Sequence, residues 1–196
     1  MDKIVNLSVS IDLGEYGKKT FLSYEEMVDY LAQNRIDYTF SNSNVNHSMM
    51  LINKFSEIDG KFCLYVKSFK KVIFNNSKLI SNIKNFLERD KNNEIKVLIE
   101  DNSRTPFVLK NEVNIFFSSL ENHLQSGKIS LKNVEPSLVK NKFRYMVLGT
   151  AYRLSNNGND SNDYSASVNF NSKESSAILQ EHFDRIFKQS PEASWN

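Results

Sequence analysis

The chain has 196 residues, which is enough for one domain, or one domain plus a small appendage. Of these residues 40% are hydrophobic and 14 are phenylalanine, a content of core-forming side chains that excludes global disorder. Lys and Arg outnumber Asp and Glu by only 25 to 23, so net charge by itself does not indicate a nucleic-acid-binding protein. The single cysteine excludes an intramolecular disulfide, and no spacing of Cys and His residues suits a zinc site. No apolar run approaches the roughly 18 residues that a membrane span needs. We therefore expect a cytoplasmic protein without cofactor, metal or membrane contact.

The first 45 residues predict a small β-α-β extension. Imperfect alternation of apolar residues over positions 4–13 indicates a strand. Ser23 followed by Glu26 is a capping-box pattern, which predicts the start of a helix. Residues 38–40 predict a second short strand, and the polar stretch 41–47 is expected to be a domain boundary or an exposed loop.

From residue 61 the pattern alternates between strands and helices, which predicts an α/β domain over residues 46–190. The nearly continuous apolar run at 94–100 indicates a strand buried on both faces, as in a mixed, mostly parallel sheet flanked by helices. Pro191 ends the last helix and leaves residues 191–196 as a tail. The predicted strands are 62–66, 94–100, 128–131 and 164–170, with a hairpin at 143–154, and the predicted helices are 77–89, 109–124 and 172–189.

The hairpin segment 141–154 reads NKFRYMVLGTAYRL and is followed by a strand and an amphipathic helix. The order of elements from residue 61 to 190 resembles one half of a phospholipase D–type domain. That family carries His, any residue, Lys, four residues and Asp on such a hairpin, and at this spacing the chain has Lys142, Arg144 and Gly149. The resemblance implies a phospholipase D–like half without the catalytic motif. It also implies a homodimer or a larger protein partner, because two such halves meet in the family.

In the family, the His attacks phosphorus, the Lys stabilises the oxyanions and the Asp orients the His. A lysine ammonium at Lys142 carries no lone pair near neutral pH, and Gly149 has no side chain to orient anything. None of the chain's three histidines, which are His47, His123 and His182, is followed two residues later by lysine. We therefore predict no catalytic residue and favour a protein that is not an enzyme.

The hairpin nevertheless offers a candidate anion site. Lys142, Arg144 and Arg153 can share one face, because alternate residues of a strand point the same way and hairpin partners lie about 5 Å apart. The fork of an arginine matches phosphate oxygens, so these residues would hold a phosphate-containing ligand or the acidic surface of a partner. A solvated hairpin face with ordinary charges is the alternative that stays open.

Two further features are candidates for binding. Lys67, Lys70 and Lys71, with Phe69 among them, suit single-stranded nucleic acid, although lysines also protect ordinary edge strands. Trp195 is a candidate anchor for a protein partner, against the alternative of a disordered tail.

Three function classes follow. The favoured one is a non-catalytic binding or accessory module of a bacterial or mobile-element system, with anti-phage defence as its setting. The abundance of Asn and Lys, typical of AT-rich bacterial and phage genomes, is the basis for that setting. The second class is a phosphodiesterase or nuclease whose histidine comes from His47 or from a partner subunit. The third is a purely structural interaction protein that binds through its first 45 residues or Trp195.

Overall fold

A two-stranded hairpin and a seven-stranded sheet form the β-structure. They are seen in a computed structural model, which describes residues 8–100, 114–134, 136–138, 143–155 and 164–193. The hairpin strands are β1 (Val9–Asp12) and β2 (Lys18–Phe21). The strands of the large sheet are β3 (Phe40–Asn42), β4 (Lys61–Val66), β5 (Glu94–Ile99), β6 (Ile129–Asn133), β7 (Tyr145–Leu148), β8 (Ala151–Ser155) and β9 (Ala166–Asn169).

The large sheet has the strand order β3-β9-β8-β7-β4-β5-β6. The predicted α/β class with a mixed sheet is confirmed, but the balance of strand directions differs from the expectation of a mostly parallel sheet. Parallel pairing joins only β4 to β5 and β5 to β6, whereas the four other pairings are antiparallel. Between β7 and β8 the reason is the two-residue turn Gly149–Thr150, because a connection this short can join only antiparallel strands, whereas parallel strands need a crossover.

Seven helices accompany the strands in the described part of the chain. They are α1 (Tyr24–Gln33), α2 (Val45–Phe55), α3 (Lys71–Phe74), α4 (Ser77–Arg89), α5 (Asn114–Ser119), α6 (Glu121–Gln125) and α7 (Lys173–Gln189). The predicted start of α1 is confirmed, because the Ser23 hydroxyl accepts a hydrogen bond from the Glu26 amide at 3.1 Å. None of these helices combines the length and apolar character that crossing a membrane requires.

Two sequence predictions need correction, one about a loop and one about a helix. Residues 41–47 are not an exposed loop, because they contribute to β3 and to the first turn of α2. Asn44 explains the difference, since its side chain caps α2 by accepting a hydrogen bond from the His47 amide at 2.8 Å. The helix predicted at 109–124 is two short helices in its described part, α5 and α6, with residues 109–113 outside the described residues.

Helices cover both faces of the large sheet. On one face, alternate residues such as Leu64 and Met146 pack in a core shared with α1, α2 and α4. On the other face, Tyr65 and Tyr145 pack in a second core against Phe183 and Ile186 of α7. The strands therefore place their two sets of side chains in separate cores, as the apolar run of β5 predicted.

Both outer strands of the large sheet involve the ends of the chain. β3 pairs with β9, so the first 45 residues supply an edge strand to the main sheet, and the domain boundary at residue 45 stays a prediction. At the other edge, the Asn133 amide donates to the Pro191 carbonyl at 3.0 Å and the Ala193 amide to the Leu131 carbonyl at 2.9 Å. The tail thus covers β6 up to Ala193, while Trp195 lies outside the described residues.

Candidate anion-binding site

Most of the basic side chains that the sequence singled out lie at one end of the strands of the large sheet, where β4, β5 and β8 end and β7 and β9 begin. Tyr65 near the end of β4 lies opposite Tyr145 at the start of β7, and Ser155 at the end of β8 lies opposite Ala166 at the start of β9. Because β4 and β5 run parallel, the residue that follows β5 lies at this end too. We call this end of the strands the basic edge, and it is defined by Lys67, Lys70, Glu100, Arg144 and Arg153.

Arg144 and Glu100 form an ion pair at the basic edge, in which Arg144 Nη2 donates to Glu100 Oε2. The backbone holds both residues in place. The Glu100 amide donates to the Val66 carbonyl at 3.1 Å, and the Arg144 carbonyl accepts from the Ser155 amide at 2.8 Å. The Arg144 side chain is 14% exposed and that of Glu100 is 9% exposed, so the two charges compensate each other where water is scarce.

A series of polar contacts leads from this ion pair to α7. Burial and then the negative charge of Glu100 raise the pKa of Tyr65, and Arg144 opposes that shift. The Tyr65 ring packs edge-to-face on Tyr145, with centroids 5.5 Å apart. The Tyr145 hydroxyl is hydrogen-bonded to His182 Nδ1 at 2.8 Å. His182 is therefore a half-buried, hydrogen-bonded residue, and burial followed by the charge of Arg185 lowers its pKa.

Arg153 has internal hydrogen-bond partners. Its Nε donates to Asn42 Oδ1 at 3.1 Å, and its Nη2 donates to Ser48 Oγ at 3.2 Å and to the Tyr164 carbonyl at 2.9 Å. Burial lowers the pKa of Arg153 to about 10, and the nearby Tyr24 opposes the shift. Arg153 thus connects β8 with β3, α2 and the start of the segment before β9, and an anion at Arg153 would have to compete with these contacts.

The two basic clusters of the sequence lie on the same edge, and Tyr164 joins them. The Lys70 ammonium lies over the Tyr164 ring, 4.5 Å from its centroid, while the Tyr164 carbonyl accepts from Arg153. Lys67 and Lys71 are exposed. The alternative that these lysines protect an edge strand is wrong, because β4 lies between β5 and β7 inside the sheet. Lys142, the third member of the hairpin cluster, is outside the described residues.

His47, the candidate histidine of an active enzyme, lies in the first turn of α2. Its ring stacks on Tyr24 with centroids 3.7 Å apart and planes 10° from parallel. Burial lowers its pKa, and its buried Nδ1 has no hydrogen-bond partner among the described residues. The part of the chain that the structure describes contains no group of three His, Cys, Asp or Glu side chains that could hold a metal ion.

Comparison with solved structures identifies the architecture. The phospholipase D family member Nuc from Salmonella typhimurium superposes with a TM-score of 0.52 at 11% identity, over 80% of this chain and 100% of Nuc. The fold is that of a phospholipase D–like half-domain. Phosphatidylserine synthase from Haemophilus influenzae Rd KW20 gives a TM-score of 0.51 at 11% identity, over 79% of this chain but only 39% of the synthase. No protein-family model and no curated protein matches the sequence.

Within this phospholipase D–like half-domain, the motif spacing pointed to Arg144 but not to its partner Glu100. Glu100 is the charged residue that ends the apolar run 94–100, and ligand sites of α/β proteins commonly lie beyond the carboxyl ends of parallel strands. That signal was available from the sequence. The contact of Tyr145 with His182 was not, because nothing in the local pattern of either segment indicates the other.

Proposed function

We propose that this chain is a non-catalytic binding module whose basic edge holds a phosphate-containing ligand, with Arg144 as the central residue. The observation that carries this proposal is the position of Arg144, at the sheet edge where β4 and β5 end and β7 begins, in a phospholipase D–like fold. A guanidinium offers five N–H donors in a planar fork, which matches phosphate oxygens. The exposed Lys67 on the same edge adds positive charge for an approaching anion.

The absence of a nucleophile at the motif spacing supports a binding role over catalysis. The positions of the family's His and Asp are Lys142 and Gly149 here, so only the anion-binding member of the motif is kept as Arg144. The histidines near the sheet have other contacts, since His182 is bonded to Tyr145 and His47 stacks on Tyr24. These contacts favour structural roles for both.

A partner is part of the proposal. Two phospholipase D–type halves meet at their site faces, so we propose a homodimer or a complex with a larger protein, with nucleic acid as one phosphate-bearing ligand. Lys67, Lys70 and Lys71 would add backbone contacts to such a ligand, and Trp195 would anchor a protein partner. The proposed setting is a bacterial or mobile-element system, including anti-phage defence.

The test is a pair of arginine variants. Arg144→Gln should weaken binding of inorganic phosphate and of a labelled single-stranded oligonucleotide at least tenfold, about 1.4 kcal/mol, in calorimetric and anisotropy titrations. Arg89→Gln is the matched control, because Arg89 also forms an ion pair, with Asp59, but lies at the end of α4 before β5 begins. Equal binding by wild type and Arg144→Gln contradicts the proposal. Light scattering of the same samples measures the oligomeric state.

The fold match to a whole chain of a phospholipase D family member favours one second candidate, a phosphodiesterase completed by a partner subunit. His47 is the histidine that this chain could contribute. Hydrolysis of bis(p-nitrophenyl) phosphate by wild type, with loss of the activity in His47→Ala, would support this candidate. Activity that persists unchanged in His47→Ala removes His47 from it.

A further inference from the structure

Arg153 is a partly buried cation with no counter-charge in the described part of the chain. A guanidinium has five N–H donors, and three of those in Arg153 are bonded to neutral acceptors. Nε donates to Asn42 Oδ1, and Nη2 donates to Ser48 Oγ and to the Tyr164 carbonyl. No carboxylate of the described residues forms an ion pair with Arg153 or acts on its pKa. Because that pKa stays at about 10, the side chain is charged at neutral pH.

The charge of Arg153 differs from that of Arg144, which Glu100 compensates at the same edge. Tyr24 acts on the pKa of Arg153, but burial raises the pKa of Tyr24 itself, so its hydroxyl stays neutral. This hydroxyl donates to the Ser41 carbonyl at 3.2 Å. A cation that loses water without gaining a counter-charge costs free energy. An incoming negative charge at Arg153 would therefore stabilise the structure.

The Nη1 group of Arg153 supplies the two remaining N–H donors. It has no hydrogen-bond partner among the described residues, and it is not one of their fully buried unpaired atoms, so it keeps contact with solvent. An anion at Nε or Nη2 would have to displace internal acceptors. An anion at Nη1 leaves all three internal bonds in place, and it can approach from the basic edge because Arg153 lies two residues before the end of β8.

The surroundings of Arg153 are aromatic, as is common for an arginine in a protein interface. Tyr164 accepts from Arg153, and the Tyr24 ring stacks on His47 with centroids 3.7 Å apart. Phe143, two residues before β7, has 50% of its surface exposed to water. Arginine and tyrosine are enriched among the residues that dominate protein–protein binding, and an exposed apolar ring gains free energy when a partner buries it. One protein partner can satisfy both needs of this edge.

We propose that the basic edge is a docking surface for an acidic protein segment, in which one carboxylate accepts hydrogen bonds from Arg153 Nη1. A single Asp or Glu side chain carries one negative charge, which matches the single uncompensated charge of Arg153. A phosphate monoester carries more than one near neutral pH and would leave an excess. The exposed Lys67 and Lys71 would attract further acidic residues of the segment. This inference rests on the proposed function for the existence of a protein partner, but it does not require phosphate to bind at Arg144.

Acetate is the smallest probe of this docking surface. Sodium acetate and sodium chloride are titrated into the full wild-type chain at one ionic strength, and the carbon-13 NMR signals of the guanidinium groups are followed. We expect the Arg153 signal, identified by its loss in Arg153→Lys, to move saturably with acetate and not with chloride. The Arg89 signal is the internal control and should stay in place, because Arg89 already pairs with Asp59 at 2.7 Å.

Labelled poly-L-glutamate tests the acidic segment by fluorescence anisotropy. Arg153→Met should weaken its binding by about tenfold or more, because a charge-assisted hydrogen bond is lost. Arg89→Met is the matched control, since it removes one positive charge at the end of α4, before β5 begins. Binding of the labelled single-stranded oligonucleotide should change less in Arg153→Met than binding of poly-L-glutamate does.

The outcomes separate this inference from the proposed function. Equal binding of poly-L-glutamate by wild type and Arg153→Met, or an Arg153 signal that ignores acetate, refutes the carboxylate contact. A larger loss of oligonucleotide binding than of poly-L-glutamate binding in Arg153→Met would make nucleic acid the occupant and overturn the inference. The phosphate site stands or falls separately, on Arg144→Gln. Should Arg153→Met not fold, the acetate titration of wild type decides the question.

Discussion

Arg153 and Asn42 are 111 positions apart in the chain, and their side chains are joined by a hydrogen bond of 3.1 Å from Nε to Oδ1. Asn42 is almost fully buried, and its amide nitrogen also donates to the Tyr164 carbonyl at 2.6 Å. Arg153 donates to that same carbonyl. This shared acceptor, two positions before β9 begins, ties β3 and β8 to the segment that leads into β9, which gives Arg153 a structural role in addition to its place at the basic edge.

We expect Arg153→Met to lower the free energy of unfolding by about 2–4 kcal/mol, because the change leaves the buried Asn42 Oδ1 without its donor and removes one of the two donors to the Ser48 hydroxyl and to the Tyr164 carbonyl. Urea unfolding followed by circular dichroism measures the loss. Arg185→Met is the matched control, since Arg185 is exposed on α7 and should change stability by no more than about 0.5 kcal/mol. Equal midpoints for the two variants would refute the structural role of Arg153.

Tyr145→Phe removes the hydroxyl bonded to His182 and keeps the ring. We expect a loss of about 0.5–1.5 kcal/mol in the free energy of unfolding, the usual net contribution of one hydrogen bond. The measurement is again urea unfolding. Tyr16→Phe makes the same change on an exposed ring and should have no measurable effect. A Tyr145→Phe protein as stable as Tyr16→Phe contradicts the expectation.

The histidines predict a pH dependence of stability. Burial lowers the pKa of His182 from its ordinary value of 6.5, so the unfolded chain takes up a proton at a higher pH than the folded chain does. This contribution is fully present above pH 6.5 and is lost as the pH falls from 6.5 through the folded pKa. His47, whose pKa is also lowered by burial, acts in the same direction.

Free energies of unfolding at pH 7.5, 6.5 and 5.5 measure this effect. Carboxylates also destabilise the fold in acid, so the readout is the difference between wild type and His182→Gln. We expect the variant to lose less stability than wild type between pH 6.5 and 5.5. Parallel curves for the two proteins would show that His182 titrates alike in both states.

The tail that covers β6 changes how a partner anchor at Trp195 should be tested. Deletion of residues 191–196 removes two backbone hydrogen bonds to β6 and the ion pair between Lys132 and Glu192, whose atoms are 3.4 Å apart. We expect the truncated protein to be less stable and to self-associate through the uncovered edge, measured by thermal melting and light scattering. Trp195→Ser leaves the strand pairing in place, so partner loss in that variant alone identifies an anchor. A truncated protein that stays as stable and as dispersed as wild type contradicts this role of the tail.

Local patterns predicted much of this fold and little of its site. The spacing of Ser23 and Glu26 predicted the start of α1, and the order of elements predicted a phospholipase D–like half-domain, because both are properties of neighbouring residues. The antiparallel part of the sheet and the pairing of Arg144 with Glu100, 44 positions apart, depend on which segments meet in space. Periodicity reports which face a side chain occupies but not what lies opposite it. Arg144 was therefore found, and the carboxylate beside it was not.

The place of β3 in the strand order has a consequence for synthesis on the ribosome. Its partner β9 is the last strand in the described part of the chain, so Phe40 can pair with Val168 only after almost the whole chain has been synthesised. During that interval β3 lacks its pairing with β9, and Arg153 lacks its hydrogen bond to the Tyr164 carbonyl. A pairing with such a long sequence separation costs loop-closure entropy and slows folding. Until the last third of the chain has emerged, this side of the sheet is therefore open to wrong strand contacts.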